Sequence, residues 1–328
     1  MKLGAYTACL HDKPLPEVLR ILKDMGLNSA EINSGGFLPP VHIPMEDIKK
    51  SSAARQDYLG IFEDAGVELT ALNCNGNPLH PDPDVHHKVQ LKESIEAAGL
   101  LGIKRVVTMS GTPGTGPEAK LPAWTVIPWD SAYLDARDYQ WNEVAIPFWK
   151  DIEACARDND VYVAIEMHPH NVVYNPATMI RLVEAIDAKH VGAEMDPSHL
   201  MWQGCDIIAA TKHLGSVIKC TAAKDVRINE AAKINGVLDD RFTRMPKGTL
   251  GYLSLGGRYE LCKWPENSSW DFVAVGVGHD VDFWAEFIKA VQAIDPEIPI
   301  NIEHEDQSMT TLEGLGFAAK TLLEAAAR

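Results

Sequence analysis

At 328 residues with a formal charge of −16, the chain has no basic stripe with which to neutralise phosphates, which excludes nucleic acid as a partner. Apolar residues make up 46% and charged residues 23%, ordinary proportions for a globular fold. No run reaches the roughly eighteen uninterrupted apolar residues of a membrane helix, and the net negative field disfavours anionic membrane surfaces.

The six cysteines (Cys9, Cys74, Cys155, Cys205, Cys220, Cys262) are scattered without a CxxC pair. The first residues lead straight into a strand-like segment and not a signal peptide. Reduced thiols and a cytoplasmic location are therefore expected.

Strand-like apolar runs alternate with helix-like ones along the whole chain. Lys2–Tyr6 precedes an amphipathic stretch over 15–25, where Leu15, Val18, Leu19 and Leu22 fall at helical spacing. Ser29–Ile32, a helix near 45–65, Val67–Leu72, a helix near 85–101 and Arg105–Met109 follow. A helix over 143–158, Val161–Met167, a helix near 176–187, Val191–Met195, a short helix near 206–213 and Val217–Thr221 continue the rhythm. A helix over 281–293, Ile298–Ile302 and a helix from about Leu312 complete it. Eight such units predict parallel strands with right-handed crossovers, closed into a single (β/α)8 TIM barrel spanning 1–328. An open doubly wound sheet is the alternative.

Two connections are too long to be simple. Ser110–Tyr139, after the fourth strand, carries a glycine-rich run (Gly111 to Gly116) with Trp124, Trp129 and Tyr133. The run lacks the Lys-Ser/Thr of a phosphate loop and reads as a turn. Asp225–Gly278, after the seventh strand, carries Leu255-Gly256-Gly257-Arg258-Tyr259 and Trp264. Both leave the C-terminal ends of their strands, so they are expected to cover a site.

Three acidic runs close predicted strands: Ile165-Glu166-Met167-His168, Met195-Asp196-Pro197-Ser198-His199 and Ile302-Glu303-His304-Glu305-Asp306. A parallel barrel brings these ends to one mouth. Carboxylates gathered there repel one another unless a cation or a proton lies between them. A divalent metal site is the reading that accounts for all three, whereas any one carboxylate alone could simply face solvent.

The runs Asp196-Pro197-Ser198-His199-Leu200, Ala223-Lys224-Asp225, Gly276-Val277-Gly278-His279-Asp280 and Glu303-His304-Glu305-Asp306 resemble the xylose-isomerase-like TIM barrel superfamily of sugar phosphate isomerases and epimerases. The superfamily also contains inosose dehydratases and endonuclease IV. The resemblance implies a divalent cation (Mn2+, Mg2+, Co2+ or Zn2+) on a Glu, an Asp, a His and a Glu from strands five to eight. The first, second and fourth correspond to Glu166, Asp196 and Glu303. The histidine is missing, because the seventh-strand run reads Cys220-Thr221-Ala222-Ala223-Lys224-Asp225 and Ala222 occupies its position. His279 is the expected substitute; Cys220 as thiolate, which would favour a softer metal, and a site without tightly held metal are the alternatives.

By the same resemblance, Glu166 and Glu303 act as base and acid in proton abstraction beside a carbonyl. His168, His199, Lys224, Asn73 and Trp124 are then expected substrate contacts. The implied reaction is isomerisation or epimerisation of a carbohydrate through an enediolate. Elimination from the same carbanion, for example on a 3-keto glycoside or inosose, is the alternative. The lost histidine also suits a non-catalytic sugar-binding barrel or a subunit of a complex; the partners expected are a small carbohydrate and either a second copy of the chain or a partner subunit. Endonuclease activity does not fit, since neither the histidines nor the positive charge is present.

Overall fold

The computed structural model describes residues 1–248, 254–256 and 259–328. Eight parallel strands close into a barrel: β1 Leu3–Tyr6, β2 Ser29–Asn33, β3 Glu68–Asn73, β4 Arg105–Met109, β5 Tyr162–Glu166, β6 Val191–Met195, β7 Ile218–Ala223 and β8 Ile300–Ile302. Their order round the barrel is β1-β8-β7-β6-β5-β4-β3-β2, so β1 is hydrogen-bonded to both β2 and β8. All eight predicted units are present. The strands are buried on both faces, by the barrel interior and by the helical layer, which is why they read as continuous apolar runs without alternation.

The helices follow from amphipathic spacing and capping. Leu15–Asp24 buries Leu15, Val18, Leu19 and Leu22. Val281–Gln292 buries Trp284, Phe287, Ile288 and Val291 and is capped by Asp280, whose side chain accepts from the Phe283 N–H at 3.0 Å. Thr310 and Glu313 form a capping box at the start of Thr311–Ala326. None of the described helices is long and apolar enough to cross a membrane.

The long connections are more structured than the sequence suggests. After β4, a helix already forms at Ser131–Asp138, capped by Asp130, and passes through a π-helical turn, Tyr139–Ala145, into Ile146–Asp158. Only Ala136 of the first segment is buried, so it lacks the apolar stripe that marks a helix in sequence. Gln140 in the π turn donates to the carbonyls of Pro113 at 3.2 Å and Ala123 at 2.7 Å, which pins the preceding loop.

After β7, Asp225–Ile228 pairs antiparallel with Trp270–Val273. This ribbon carries Trp270 and Phe272 back over the barrel. Asp225 holds its base: Oδ2 accepts from the N–H groups of Gly276, Gly278 and His279 at 3.0–3.1 Å. Position 278 must be glycine, because a Cβ would lie 2.2 Å from the Val226 carbonyl oxygen. Gly257 and Arg258 of the glycine-rich run lie outside the described residues.

Candidate active site at the barrel mouth

Glu166 is the last residue of β5, and its side chain is 1% exposed. Oε2 accepts from Asn75 Nδ2 at 2.6 Å. Burial pushes the carboxyl up, but the adjoining His199 and His168 rings and Lys224 outweigh it and hold it down at about 2. Asp196 follows β6 and caps the short helix Pro197–Met201, with Oδ1 accepting from the Ser198 N–H at 2.8 Å. Proline directly after this cap fits the helix start, where no amide hydrogen is needed. Glu303 follows β8, its N–H bonded to the Ala223 carbonyl at 3.0 Å.

The three carboxylates present one oxygen each within 4.8 Å of one another. Burial, reinforced by the neighbouring carboxylates, pushes Asp196 up to about 7 and Glu303 well above its ordinary value, although Lys224 pulls both down.

His199 sits one helical turn beyond Asp196, so the helix folds its ring back over the same spot. Its Nε2 lies 3.1 Å from Glu166 Oε1 and 3.5 Å from Asp196 Oδ2. Burial lowers its pKa to about 3, so it is a neutral imidazole, the form that ligates metals. The His168 ring packs against it, tilted by 51°, at 4.0 Å between ring centroids. His168 Nδ1 donates to the Pro169 carbonyl oxygen at 2.5 Å, which fixes the ring. Glu166, His168 and His199 also present donor atoms within 4.8 Å of one another.

Lys224 Nζ lies 2.9 Å from Glu303 and 3.2 Å from Glu305, and 4.4 Å from the centre of the Phe272 ring. Burial disfavours its charge, but Glu303, Glu305, Asp196 and Glu166 outweigh that and raise it well above the ordinary lysine value. It is a protonated ammonium.

Among the described residues, Glu166 Oε1, Asp196 Oδ2 and both ring nitrogens of His199 are buried without a hydrogen-bond partner. Unpartnered buried polar atoms are costly and rare. Glu166 groups with Asp196 and Glu303 on one side and with His168 and His199 on the other, each set with donor atoms within 4.8 Å, so the unpartnered atoms lie where a divalent cation would find ligands. The donor set of carboxylate oxygens and imidazole suits Zn2+, Co2+ or Mn2+.

Two expectations are corrected here. His279 is not at the carboxylates: its Nδ1 is 2.7 Å from Asp225 Oδ1, its ring packs on Phe283, and its side chain is 33% exposed. The glycine turn that seemed to deliver it inward instead wraps its backbone round Asp225. Asn73 does not face the cavity, because Nδ2 donates to Glu31 at 2.7 Å and Oδ1 accepts from the Asn75 N–H at 2.9 Å. Asn75, two residues further on, takes that place against Glu166.

Cys220 is fully buried one layer below the mouth, grouped with Ala71, Val107 and Ala164. Phe272, which the sequence did not single out, packs edge-on against His199 at 5.4 Å. The Asp-Pro-Ser-His spacing held the missed signal, since Pro opening a helix after Asp196 puts Asp and His on one helical face.

The mouth opens into a cavity of about 1240 Å3 that includes Asn33, Phe37, Trp124, Glu166, Trp264 and Phe272 in its wall. Trp124 is fixed by Nε1 donating to the Asn171 carbonyl at 3.0 Å and by edge contacts with His170 and Tyr174.

A family model described as xylose isomerase-like TIM barrel matches residues 19–325. The chain belongs to this family. The uncharacterised protein YfiH of Bacillus subtilis (strain 168) is 34% identical over 98% of both chains.

Several solved structures of similar fold align over almost their full length. The probable 3-DHS dehydratase AsbF of Bacillus anthracis does so at 14% identity and a TM-score of 0.62, with 98% of this chain and 99% of that one covered. The zinc-bound IolI protein aligns at 18% identity and a TM-score of 0.60, covering 100% and 98%. The 3-keto-D-glucoside 4-epimerase YcjR of E. coli aligns at 15% identity and a TM-score of 0.56, covering 98% and 99%. At these identities the likeness is one of fold.

Proposed function

We propose that this chain is a divalent-metal-dependent enzyme that removes and returns a proton beside the carbonyl of a carbohydrate, with isomerisation or epimerisation as the outcome. The observation that carries the reading is the cluster of unpartnered Glu166, Asp196 and His199 atoms, with Glu166, Glu303 and Lys224 of the same mouth lining one cavity. Glu166, Asp196, Glu303 and His199 would hold the ion, with His168 adjoining. When bound, such an ion polarises a carbonyl and stabilises the negative charge that develops on proton loss.

The chain's own residues do the rest. Glu166 and Glu303 carry the proton off and back through carboxylate oxygens that face the cavity. Asn75 fixes the orientation of Glu166 through its 2.6 Å bond. Lys224 orients Glu303 and offers an ammonium to a substrate oxygen. Phe272, Trp264 and Trp124 exclude water and present flat apolar faces to a sugar ring. The zinc held by IolI, and the presence of an epimerase and a probable dehydratase among proteins of the same fold, support this reading.

A second outcome, elimination, is favoured by one observation. At about 1240 Å3 the cavity exceeds the range of about 300–1,000 Å3 usual for small-molecule pockets, which suits a keto glycoside carrying a leaving group.

Metal analysis of the purified protein, with and without Glu166→Gln, tests the reading first. Stoichiometric metal lost in the variant supports it; a protein that binds no divalent ion overturns it. Incubation with keto sugars and 3-keto glycosides in deuterated solvent, followed by NMR, then separates the outcomes. Exchange with an inverted centre marks epimerisation, and release of the aglycone marks elimination.

A further inference from the structure

Below the mouth, the barrel interior has a second polar layer that the proposed chemistry does not use. Two positions back along each strand from the mouth residues stand Glu31, Ala71, Val107, Ala164, Glu194, Cys220 and Asn301. In most such barrels this layer is filled with branched apolar side chains. Here one side is small and apolar, while Glu31, Glu194 and Cys220 face one another with donor atoms within 4.8 Å. Glu31 and Glu194 are 2% exposed and Cys220 is 0% exposed.

The Glu31 side chain is held in a fixed orientation. Oε1 accepts from Asn73 Nδ2 at 2.7 Å and Oε2 from Asn301 Nδ2 at 3.1 Å, leaving one lone pair on each oxygen. Glu194 has no such support: its Oε2 is buried without a partner among the described residues. Glu31, Glu166, Glu194, Asp196 and Glu303 thus share the barrel interior, and Lys224 pairs with Glu303 and Glu305 at the mouth. Carboxyl groups gathered in a buried layer call for a cation or a proton between them.

We propose that Glu31, Glu194 and Cys220 form a second, interior site for a divalent ion of the zinc or cobalt class, distinct from the mouth site. Two carboxylates and a thiolate make a borderline-soft donor set that selects such ions over magnesium or calcium. In a tetrahedral site with bonds of about 2.0–2.3 Å, ligand atoms stand roughly 3.5 Å apart, so side-chain rotation closes these donors round an ion. A water fills the fourth position. The hydrogen bonds of Asn73 and Asn301 to Glu31 are the outer support that ligating carboxylates usually carry. Asn73 and the mouth residues roof the site, so the ion enters as the chain folds and resists a chelator that strips the mouth.

Protein produced in cobalt-supplemented medium, then dialysed against a chelator, tests this by metal analysis and near-ultraviolet absorption. The expected result is one retained ion per chain with a sulfur-to-cobalt charge-transfer band. Cys220→Ser should abolish the band, whereas Glu166→Gln should remove only the ion that the chelator also removes. The wild-type spectrum decides the matter even if a variant fails to fold. A chelator-treated protein with no cobalt, or with cobalt and no thiolate band, overturns the proposal and leaves the lower carboxylates neutralised by protons. Neither outcome bears on the mouth site, which is read separately from the ion lost in Glu166→Gln.

Discussion

His199 Nε2 lies 3.1 Å from Glu166 Oε1, yet no hydrogen bond joins these two buried atoms. In the proposed metal site, a neutral imidazole and an ionised carboxylate at this distance would serve as a ligand pair and stand in for the histidine that the seventh strand lacks at Ala222. His199→Ala should weaken divalent-metal affinity by at least about 10–100-fold, the range already seen for residues one shell further out. His279→Ala should leave the affinity unchanged. Titration with Zn2+ or Co2+ followed calorimetrically checks both; equal losses in the two variants would count against His199.

Lys224 and Glu303 form a buried pair at 2.9 Å, with side chains 3% and 12% exposed. Removing one partner strands the other charge, so Lys224→Met should cost about 3–5 kcal/mol and abolish turnover. The double variant Lys224→Met, Glu303→Gln should recover part of the stability and none of the activity. Denaturant melts and a turnover assay on all three proteins measure the coupling.

Asp225 joins the ribbon to the barrel through several backbone N–H groups. Asp225→Ala leaves those donors buried and unpaired, at a cost of about 1–3 kcal/mol for each group left unsatisfied. The loss should be local: limited proteolysis is expected to cleave between residues 229 and 268 while the barrel fragments stay associated. Protection equal to wild type would show that Asp225 is not what holds the ribbon.

Glu153 supplies a pH-dependent term far from the mouth. It accepts from the N–H groups of Lys189, His190 and Val191 at 2.7–3.0 Å. Burial raises its pKa, but these bonds outweigh it and the net shift is downward. A depressed folded value means the contribution is complete above the unfolded pKa of about 4.3. It is lost as pH falls through the lower folded value. Glu153→Gln should therefore be less stable than wild type by about 1–3 kcal/mol near neutral pH, with the gap narrowing in acid. Melting curves at about pH 7 and about pH 3 compare the two.

Trp264 and Phe272 come from the long connection after β7 and Trp124 from the loop after β4, so the cavity wall draws on two separate segments. If the substrate is a glycoside, Trp124→Ala should raise KM for it more than for a keto monosaccharide, since a stacked ring contributes about 0.5–1.5 kcal/mol beyond its buried area. Similar KM changes for both substrates would place the tryptophan on the sugar itself.

The eight-strand rhythm, the mouth carboxylates and the position of the long connections were legible in the chain because they rest on local patterns. An apolar run, a strand-end charge and a turn residue each act over a few neighbours. The fates of His279, Asn73 and His199 were not legible, because two residues of one type at strand ends are alike until packing orients them. Asp225 collects the backbone of the Gly276–His279 turn and takes His279 with it; Glu31 takes the Asn73 amide; one turn of helix brings His199 to Glu166.

The lower layer makes the same distinction. Glu31, Glu194 and Cys220 sit inside apolar strands as isolated polar residues, and sequence alone marks each as an exception without relating it to the others. Barrel closure alone places β2, β6 and β7 so that these three face inward at one level. The sequence by itself determined a β/α barrel with acidic strand ends. Tertiary structure decided which polar atoms meet, because hydrogen-bond satisfaction in a closed interior depends on neighbours that are distant along the chain.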